Sequence, residues 1–217
     1  MSLLFSSLKH LFMIFIAWVI LCLFILIYFG NTDFSQWINQ FNLPFFDFFF
    51  KSITYLGDGV TALLIVLVLC CVRLDYGFIS AVVFSLSAIT TQILKRYIFE
   101  DVPRPFLVFK EQIDMGQWHL IDGVEMHQFF SFPSGHTTIV FSICIFLSLI
   151  SHRKIYHYVF FTMALLVGFS RIYLSQHFLM DVFIGSLLGT IITTVTFLFL
   201  RDRLKSLKTY SLTKFLN

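Results

Sequence analysis

Charged residues are scarce in this chain of 217 residues. Asp, Glu, Lys and Arg together make up 12% of the sequence, whereas hydrophobic residues make up 58% and phenylalanine alone occurs 30 times. A soluble domain of this length cannot bury so much apolar surface. The composition therefore excludes an ordinary soluble protein and predicts an integral membrane protein.

Cysteine motifs are also missing. The four cysteines all lie within apolar runs, and no CxxC or Cys/His spacing occurs among Cys22, Cys70, Cys71 and Cys144. Neither a zinc site nor a disulfide framework is expected. The chain also lacks an internal repeat and a low-complexity linker. We therefore expect a single membrane-embedded domain over residues 1–217.

Six apolar segments predict an all-α bundle of six transmembrane helices. The first is expected to be a retained span, because it is too long for a signal peptide and lacks a cleavage site. An amphipathic stretch at residues 31–51 is expected to lie in the membrane interface. The predicted spans are 11–29, 53–72, 77–98, 134–150, 156–173 and 177–200, with an active-site loop at 99–133 and a basic tail at 201–217.

Lysine and arginine indicate how the bundle is oriented, because cytoplasmic loops collect them. If both termini are cytoplasmic, more of these cations fall on the inner side than on the outer side. Alternating span direction then brings three separate stretches to the outer face: residues 95–105, 132–136 and 171–181. The outer cations are concentrated at two of these stretches, which indicates an anionic ligand.

Arg171, His177 and Asp181 lie where the last two predicted spans meet. On a helix, His177 and Asp181 would share one face, and the carboxylate could hold the imidazole in one tautomer. The planar guanidinium of Arg171 suits a phosphate. Alternatively, the three are ordinary interfacial groups that face water.

The start of the fourth span offers a second set of groups. Ser134 is a natural N-cap, and the N–H groups of Gly135 and His136 at the helix start would form an anion site. His136 would lie beside the bound anion, where it could give a proton to a leaving oxygen. Alternatively, Ser134 only marks the start of a helix.

The third stretch contains Lys95, Arg96 and Arg104, and alone it indicates an interfacial cluster of snorkelling cations. Together, the three stretches resemble the type 2 phosphatidic acid phosphatase superfamily, which also includes the vanadium haloperoxidases. The family signature is a lysine before Arg-Pro, then Pro-Ser-Gly-His, then Ser-Arg followed by His and Asp. The second and third elements are present in full, at residues 133–136 and 170–181.

The first element departs from the family spacing. The family usually has six residues between the lysine and Arg-Pro, whereas eight residues separate Lys95 from Arg104. Either the loop carries two extra residues, or Arg96 takes part of the role of the lysine.

The resemblance implies a phosphatase that needs no metal and no other cofactor. His177 would attack phosphorus to give a phosphohistidine, oriented by Asp181, while His136 would protonate the leaving group and later activate water. The phosphate oxygens would be held by side-chain cations and the helix start, namely Lys95, Arg104, Ser134, Gly135 and Arg171.

A membrane lipid phosphate is the implied substrate, and the bilayer is the other expected partner, with no nucleic acid and no obligate protein partner. The family acts on undecaprenyl diphosphate, phosphatidylglycerol phosphate, phosphatidic acid and the phosphorylated glucosamine of lipid A. Because the chain is short and has no added soluble domain, undecaprenyl diphosphate is the predicted substrate, with a lipid A 1-phosphatase among the alternatives. Haloperoxidase and transporter functions are alternatives from other classes.

The expected location is a bacterial-type inner membrane, with the active site on the periplasmic side. Residues 108–130, within the predicted loop, carry several polar and aromatic side chains. This segment could be a lid over the headgroup or simply a solvated loop.

Overall fold

A computed structural model describes residues 2–151 and 153–204, with side chains from residue 9 onward. This part of the chain is all-helical, with ten α-helices, a 3-10 turn at Thr54–Gly57 and a π-helical turn at Leu94–Ile98. The α-helices are α1 Ser2–Tyr28, α2 Asn31–Asn39, α3 Pro44–Ile53, α4 Gly59–Val72, α5 Leu74–Ile93, α6 Pro105–Val108, α7 Lys110–Asp114, α8 Gly135–Ile150, α9 Lys154–Tyr173 and α10 Leu179–Leu200.

Four helical segments within the described ranges are long and apolar enough to cross a membrane. They are Lys9–Tyr28, Leu74–Ile98, Lys154–Tyr173 and Leu179–Leu200. A fifth candidate is the pair Pro44–Gly57 and Gly59–Val72, which is bent by 54°. The apolar helix α8 is shorter, at 16 residues. The all-α prediction is confirmed, whereas the count of six spans stays a prediction.

Helix α8 is apolar on every side and lies at the centre of the bundle. Most of its side chains are buried, and Phe141 and Phe146 have no exposed surface. Helices α5, α9 and α10 cover it. A helix without a polar face has to be enclosed by its neighbours. The enclosure positions the first turn of α8 against the ends of the surrounding helices.

Apolar side chains also cover much of the outer surface. Ile27 on α1 is 80% exposed, Val68 on α4 is 62% exposed and Val195 on α10 is 63% exposed. Lipid tails solvate such a surface, whereas water does not. Together with the long apolar helices, this surface describes a multi-pass membrane protein.

The helices do not begin and end where the predicted second span and the segment before it do, and the span bounds themselves stay predictions. A helix begins at Pro44 and the chain breaks at the 3-10 turn before α4 begins at Gly59. Proline is favoured in the first turn of a helix, because its missing N–H is not needed there. The predicted amphipathic stretch 31–51 consists of α2 and most of α3. Its position in the membrane interface stays a prediction.

The predicted loop and the last predicted span also differ from the helix bounds, and both stay predictions. The loop 99–133 contains two short helices, α6 and α7. The last helix begins at Leu179 with Phe178 as its N-cap, so His177 lies in the turn before it. The predicted tail 201–217 lies largely outside the described residues, which end at residue 204.

Candidate active site

The three stretches meet at one end of the bundle. The N–H of Ser134 donates to the carbonyl oxygen of Asp181 over 3.0 Å, which joins the start of α8 to the start of α10. The guanidinium of Arg104 donates to the carbonyl oxygen of Gln176 over 3.3 Å, which joins the loop to the turn between α9 and α10. Residues far apart in sequence therefore form one cluster.

Asp181 holds the imidazole of His177 through a helix cap. Its Oδ2 accepts the N–H of the N-cap residue Phe178 over 2.9 Å and the hydroxyl of Ser131 over 2.5 Å. The same oxygen lies 3.3 Å from His177 Nδ1. His177 and Asp181 are paired as predicted, although His177 lies before the helix and the two residues do not share a helix face. With Nδ1 as donor, His177 Nε2 keeps its lone pair.

His177 is buried among positive charges. Its side chain is 2% exposed. Burial lowers the pKa of His177 well below its usual value, and the charges of Lys95, Arg104 and Arg171 lower it further. An imidazole in this environment is neutral at physiological pH, which is the form that can act as a nucleophile.

The first turn of α8 has the predicted cap and free N–H groups. Ser134 Oγ accepts the N–H of Thr137 over 3.5 Å and its hydroxyl over 2.9 Å. In the part of the chain that the structure describes, the N–H groups of Gly135 and His136 have no hydrogen-bond partner. The imidazole of His136 is half-buried and lies within electrostatic range of His177. This arrangement can receive an anion.

Arg171 lies in the last turn of α9, and part of its guanidinium has no partner. One terminal nitrogen donates to Thr54 Oγ1 over 2.7 Å, and the other lies 3.5 Å from Gln176 Oε1. Its Nε is buried and has no partner within the described residues. A buried charged donor without an acceptor is costly. A phosphate oxygen would supply the missing acceptor.

Lys95, and not Arg96, points into the cluster. Lys95 is 8% exposed, and its Nζ donates to the carbonyl oxygen of Phe130 over 2.9 Å. Arg96 is exposed and donates to Gln92 over 3.2 Å. Both lie in the π-helical turn, which holds more residues per turn than an α-helix.

Arg104 binds mainly protein atoms. Its Nε donates to the carbonyl oxygen of Phe129 over 2.9 Å, and its terminal nitrogens donate to Gln176 Oε1 over 3.1 Å and to the carbonyl oxygen of Phe130 over 3.4 Å. Burial lowers the pKa of Arg104, although a guanidinium stays charged at neutral pH. Arg104 therefore fixes the loop before α8 and has few donors left for a ligand.

The sequence motifs do not identify two polar residues of the cluster. Gln176 is 3% exposed, and it donates to the carbonyl oxygen of Glu125 over 3.0 Å while accepting from both arginines. Ser131 has no exposed surface and binds Asp181. The position of Gln176 directly before His177 was the only available signal for it. Nothing in the sequence distinguishes Ser131.

The segment at 108–130 is docked onto the bundle over part of its length. His119 Nε2 lies 2.9 Å from Asp47 Oδ2, and Asp47 also accepts the hydroxyl of Tyr173 over 2.6 Å. Trp118 donates to Ser175 Oγ over 3.0 Å. These contacts connect the segment to α3 and to the turn that carries His177. Whether the segment acts as a lid stays a hypothesis.

Metal ligands are not grouped in the cluster. Within the described ranges, no set of three or more His, Cys, Asp or Glu side chains is arranged to hold a metal ion. The groups that face a ligand are cations and N–H donors, which bind phosphate oxygens.

Most of the chain, including the cluster, matches a known protein family. Residues 76–205 match the PAP2 superfamily, a range that includes Lys95, Arg104, His136, His177 and Asp181. The chain belongs to the PAP2 superfamily. The resemblance inferred from the motifs is thereby confirmed.

Individual relatives support the same grouping. The chain is 38% identical to the lipid A 4'-phosphatase of Porphyromonas gingivalis over 63 residues, which are 29% of this chain and 27% of that protein. The chain thus spans about a quarter of the length of this curated relative. The predicted class, a phosphoric ester hydrolase, is confirmed at the level of the PAP2 superfamily.

Two solved structures share the fold. A crystal structure of LpxE from Aquifex aeolicus matches with a TM-score of 0.66 and 28% identity, covering 76% of this chain and 93% of that one. The first transmembrane PAP2 type phosphatidylglycerolphosphate phosphatase from Bacillus subtilis matches with a TM-score of 0.64 and 22% identity, covering 90% and 98%. The second likeness supports the fold alone.

Proposed function

We propose that this PAP2 protein is a membrane lipid phosphatase that works through a phosphohistidine at His177. The observation that carries the proposal is the environment of that imidazole. It is buried and neutral, its Nδ1 is held by Asp181, and the cations of Lys95 and Arg171 lie close to it. A neutral nucleophile beside concentrated positive charge suits attack on an anionic phosphate.

Each histidine has a separate role in the proposed reaction. His177 Nε2 forms a bond to phosphorus while the bond from phosphorus to the leaving oxygen breaks. The negative charge of the bound phosphate favours the protonated form of His136, which gives that oxygen its proton. Asp181 stabilises the positive charge on the phosphohistidine. Water then loses a proton to His136 and attacks phosphorus, which breaks the P–N bond and releases phosphate.

The phosphate oxygens would be held by groups that still have free donors. Lys95 and Arg171 supply charge, and Gly135 supplies an N–H at the start of α8. The hydroxyl of Ser134 is free to donate, because Ser134 Oγ accepts both of the hydrogen bonds that it forms with Thr137. Arg104 would bind phosphate with a remaining donor while it orders the loop.

Two lipids are candidate substrates. Undecaprenyl diphosphate is the substrate predicted from the sequence. Lipid A is the second candidate substrate, because the Porphyromonas gingivalis relative is a lipid A 4'-phosphatase. In either case we propose six spans, with α8 and the bent pair counted as spans. The active site would face the periplasm and both termini would lie in the cytoplasm.

Phosphate release from purified lipid phosphates tests this function. The wild type should release phosphate from at least one of undecaprenyl diphosphate, lipid A, phosphatidylglycerol phosphate and phosphatidic acid. His177→Ala and His136→Ala should each lower kcat by more than about a thousandfold. His10→Ala, near the start of α1 and away from the cluster, is the matched control. Full phosphate release by His177→Ala would refute the mechanism, whereas no release by the wild type from any of the four lipids would revive a transporter or another function.

A further inference from the structure

The 3-10 turn at Thr54–Gly57 separates α3 from α4 and lies against the candidate active site. The two helices are bent by 54° at this break, and the turn packs against α8 and α9. Short 3-10 segments within helical regions often mark functional positions. The turn precedes the range 76–205 that matches the PAP2 superfamily, so it adds residues to the site that the sequence motifs do not include.

Thr54 holds one terminal nitrogen of the Arg171 guanidinium. That nitrogen donates to Thr54 Oγ1 over 2.7 Å, and both residues are 7% exposed. The hydrogen bond from the other terminal nitrogen to Gln176 Oε1 is longer, at 3.5 Å. An arginine side chain has many rotamers, so a group that binds phosphate in one geometry needs such restraints. Thr54 therefore restrains the direction of the guanidinium more closely than Gln176 does.

The hydroxyl of Thr54 is a neutral acceptor, which suits a guanidinium that has to bind an anion. Among the residues that the structure describes, Arg171 forms no ion pair with a carboxylate. A carboxylate in the place of the hydroxyl would compensate the positive charge and would compete with a phosphate for the same donors. Thr54 can therefore orient Arg171 while the charge stays available for phosphate oxygens.

Gly57 brings the same turn into contact with His136. A Cβ at Gly57 would lie 2.7 Å from the carbonyl oxygen of His136, and 3.1 Å from both His136 Cβ and Val167 Cγ1. These distances leave no room for a side chain, so the turn fits closely between the start of α8 and the helix α9. The position of His136 therefore depends on a glycine at residue 57.

We infer that the turn Thr54–Gly57 is a positioning element of the active site, in which Thr54 orients Arg171 and Gly57 sets the position of His136. The inference rests on the proposed phosphatase function, because it acts through phosphate binding by Arg171 and proton transfer by His136. Neither Thr54 nor Gly57 needs to touch the substrate. Each acts through the residue that it contacts.

Thr54→Val and Thr54→Ser test the contact with Arg171, in the full-length protein and with whichever of the four lipids the wild type hydrolyses best. Valine keeps the shape but removes the acceptor, so kcat/KM should fall about 10- to 100-fold and inhibition by inorganic phosphate should weaken about tenfold. Serine keeps the hydroxyl and should stay within about threefold of the wild type. Thr194→Val, the same substitution near the opposite end of α10, is the control and should leave both values within about twofold.

Gly57→Ala tests the contact with His136. The added methyl group would displace the proton donor, so kcat should fall at least about tenfold. This loss should exceed the change in inhibition by inorganic phosphate, whereas Thr54→Val should affect that inhibition at least as much as kcat. Gly59→Ala is the control, because a Cβ there meets nothing within 4 Å. Thermal unfolding in detergent checks each variant, and if Gly57→Ala does not fold, the Thr54 variants decide the inference.

The outcomes separate the positioning role from the phosphatase function. If Thr54→Val keeps wild-type kcat/KM, or if Thr54→Ser loses as much as Thr54→Val, Thr54 does not orient Arg171. If Gly57→Ala behaves like Gly59→Ala, the turn does not set the position of His136. In these cases the inference is wrong and the phosphatase function stands. If the wild type releases phosphate from none of the four lipids, the proposed function fails and the positioning role fails with it.

Discussion

Gln176 connects two arginines that the sequence motifs treat as separate cations. Its Oε1 accepts from Arg104 over 3.1 Å and lies 3.5 Å from Arg171, and its Nε2 holds the carbonyl oxygen of Glu125. Gln176 is therefore a positioning residue for both guanidinium groups. Because it directly precedes His177, it also fixes the turn that carries the candidate nucleophile.

Replacement of Gln176 should impair the site without unfolding the protein. Gln176→Leu keeps most of the volume but leaves two buried guanidinium groups short of an acceptor. We expect kcat/KM to fall by about 10- to 100-fold, whereas Gln176→Glu, which retains an acceptor, should lose less. Steady-state kinetics with a lipid phosphate measure both effects. Gln117→Leu, at an exposed position, is the control and should keep wild-type kcat/KM. An equal loss in Gln176→Leu and Gln176→Glu would contradict the positioning role of Gln176.

The pH dependence of stability should report the burial of His177. Its pKa is lowered in the folded state, while the unfolded value is about 6.5. Below about pH 6.5 the unfolded state therefore binds more protons, and the free energy of unfolding falls as the pH decreases. The thermal midpoint in detergent, measured from pH 8 to pH 5, should fall less in His177→Gln than in the wild type. Parallel curves would show that His177 is not buried as a neutral group.

Local motifs predict part of the site, and tertiary hydrogen bonds decide the rest. Ser134, His136, Arg171 and Asp181 follow from short patterns whose chemistry depends on neighbouring residues. The choice between Lys95 and Arg96 needs the π-helical turn, which composition does not reveal. Gln176 and Ser131 act through partners from distant segments. No local pattern predicts such partners.

At the level of helices, the site depends on how closely α10 packs against α8. A Cβ on Gly185 would lie 2.8 Å from the carbonyl oxygen of Ser134 and 3.1 Å from Thr137 Cβ. The start of α8, with its free N–H groups, therefore rests directly on the backbone of α10. Long apolar runs predict that these helices exist, but only the three-dimensional packing shows which faces touch.

Gly185→Ala tests this close approach. The added methyl group would push the start of α8 away, and overpacking of this kind costs about 1–3 kcal/mol of stability. We expect a lower unfolding temperature and a loss of activity. Gly59→Ala is the matched control, because a Cβ there meets nothing within 4 Å. A Gly185→Ala variant with wild-type stability and activity would show that the packing is looser than described.

The sequence predicts the boundaries of helices less accurately than it predicts the helices themselves. The last helix was expected to begin at His177, yet it begins at Leu179 because Phe178 and Asp181 form its cap. The expected second span misses the start of α3 at Pro44 and the 54° bend before α4. Apolar composition is the same on both sides of these points, so hydropathy does not detect them.

For the whole molecule, membrane orientation is the main untested prediction. The candidate site lies at the end of α9, whereas residues 201–204 follow the opposite end of the adjacent helix α10. We propose that the first end is periplasmic and the second cytoplasmic, because Lys and Arg favour the cytoplasmic side. The composition predicts a membrane protein directly, but the small difference in charge between the two sides makes orientation harder to predict.

Cysteine labelling in intact cells measures this orientation. In a variant whose four native cysteines are replaced, Glu111→Cys places a thiol at an exposed position on α7, and Arg203→Cys places one after α10. An impermeant maleimide should label the cysteine at position 111 before lysis and the cysteine at position 203 only after lysis. The reverse pattern would invert the proposed topology.

Covalent trapping of the phosphorylated protein tests the central claim most directly. The purified protein is mixed with a ³²P-labelled lipid phosphate that it hydrolyses, quenched in alkali within one turnover, and mapped by peptide mass spectrometry. We predict an alkali-stable, acid-labile phosphate on His177 that is absent in His177→Gln. A label on another residue, or a label that persists in His177→Gln, would contradict the mechanism.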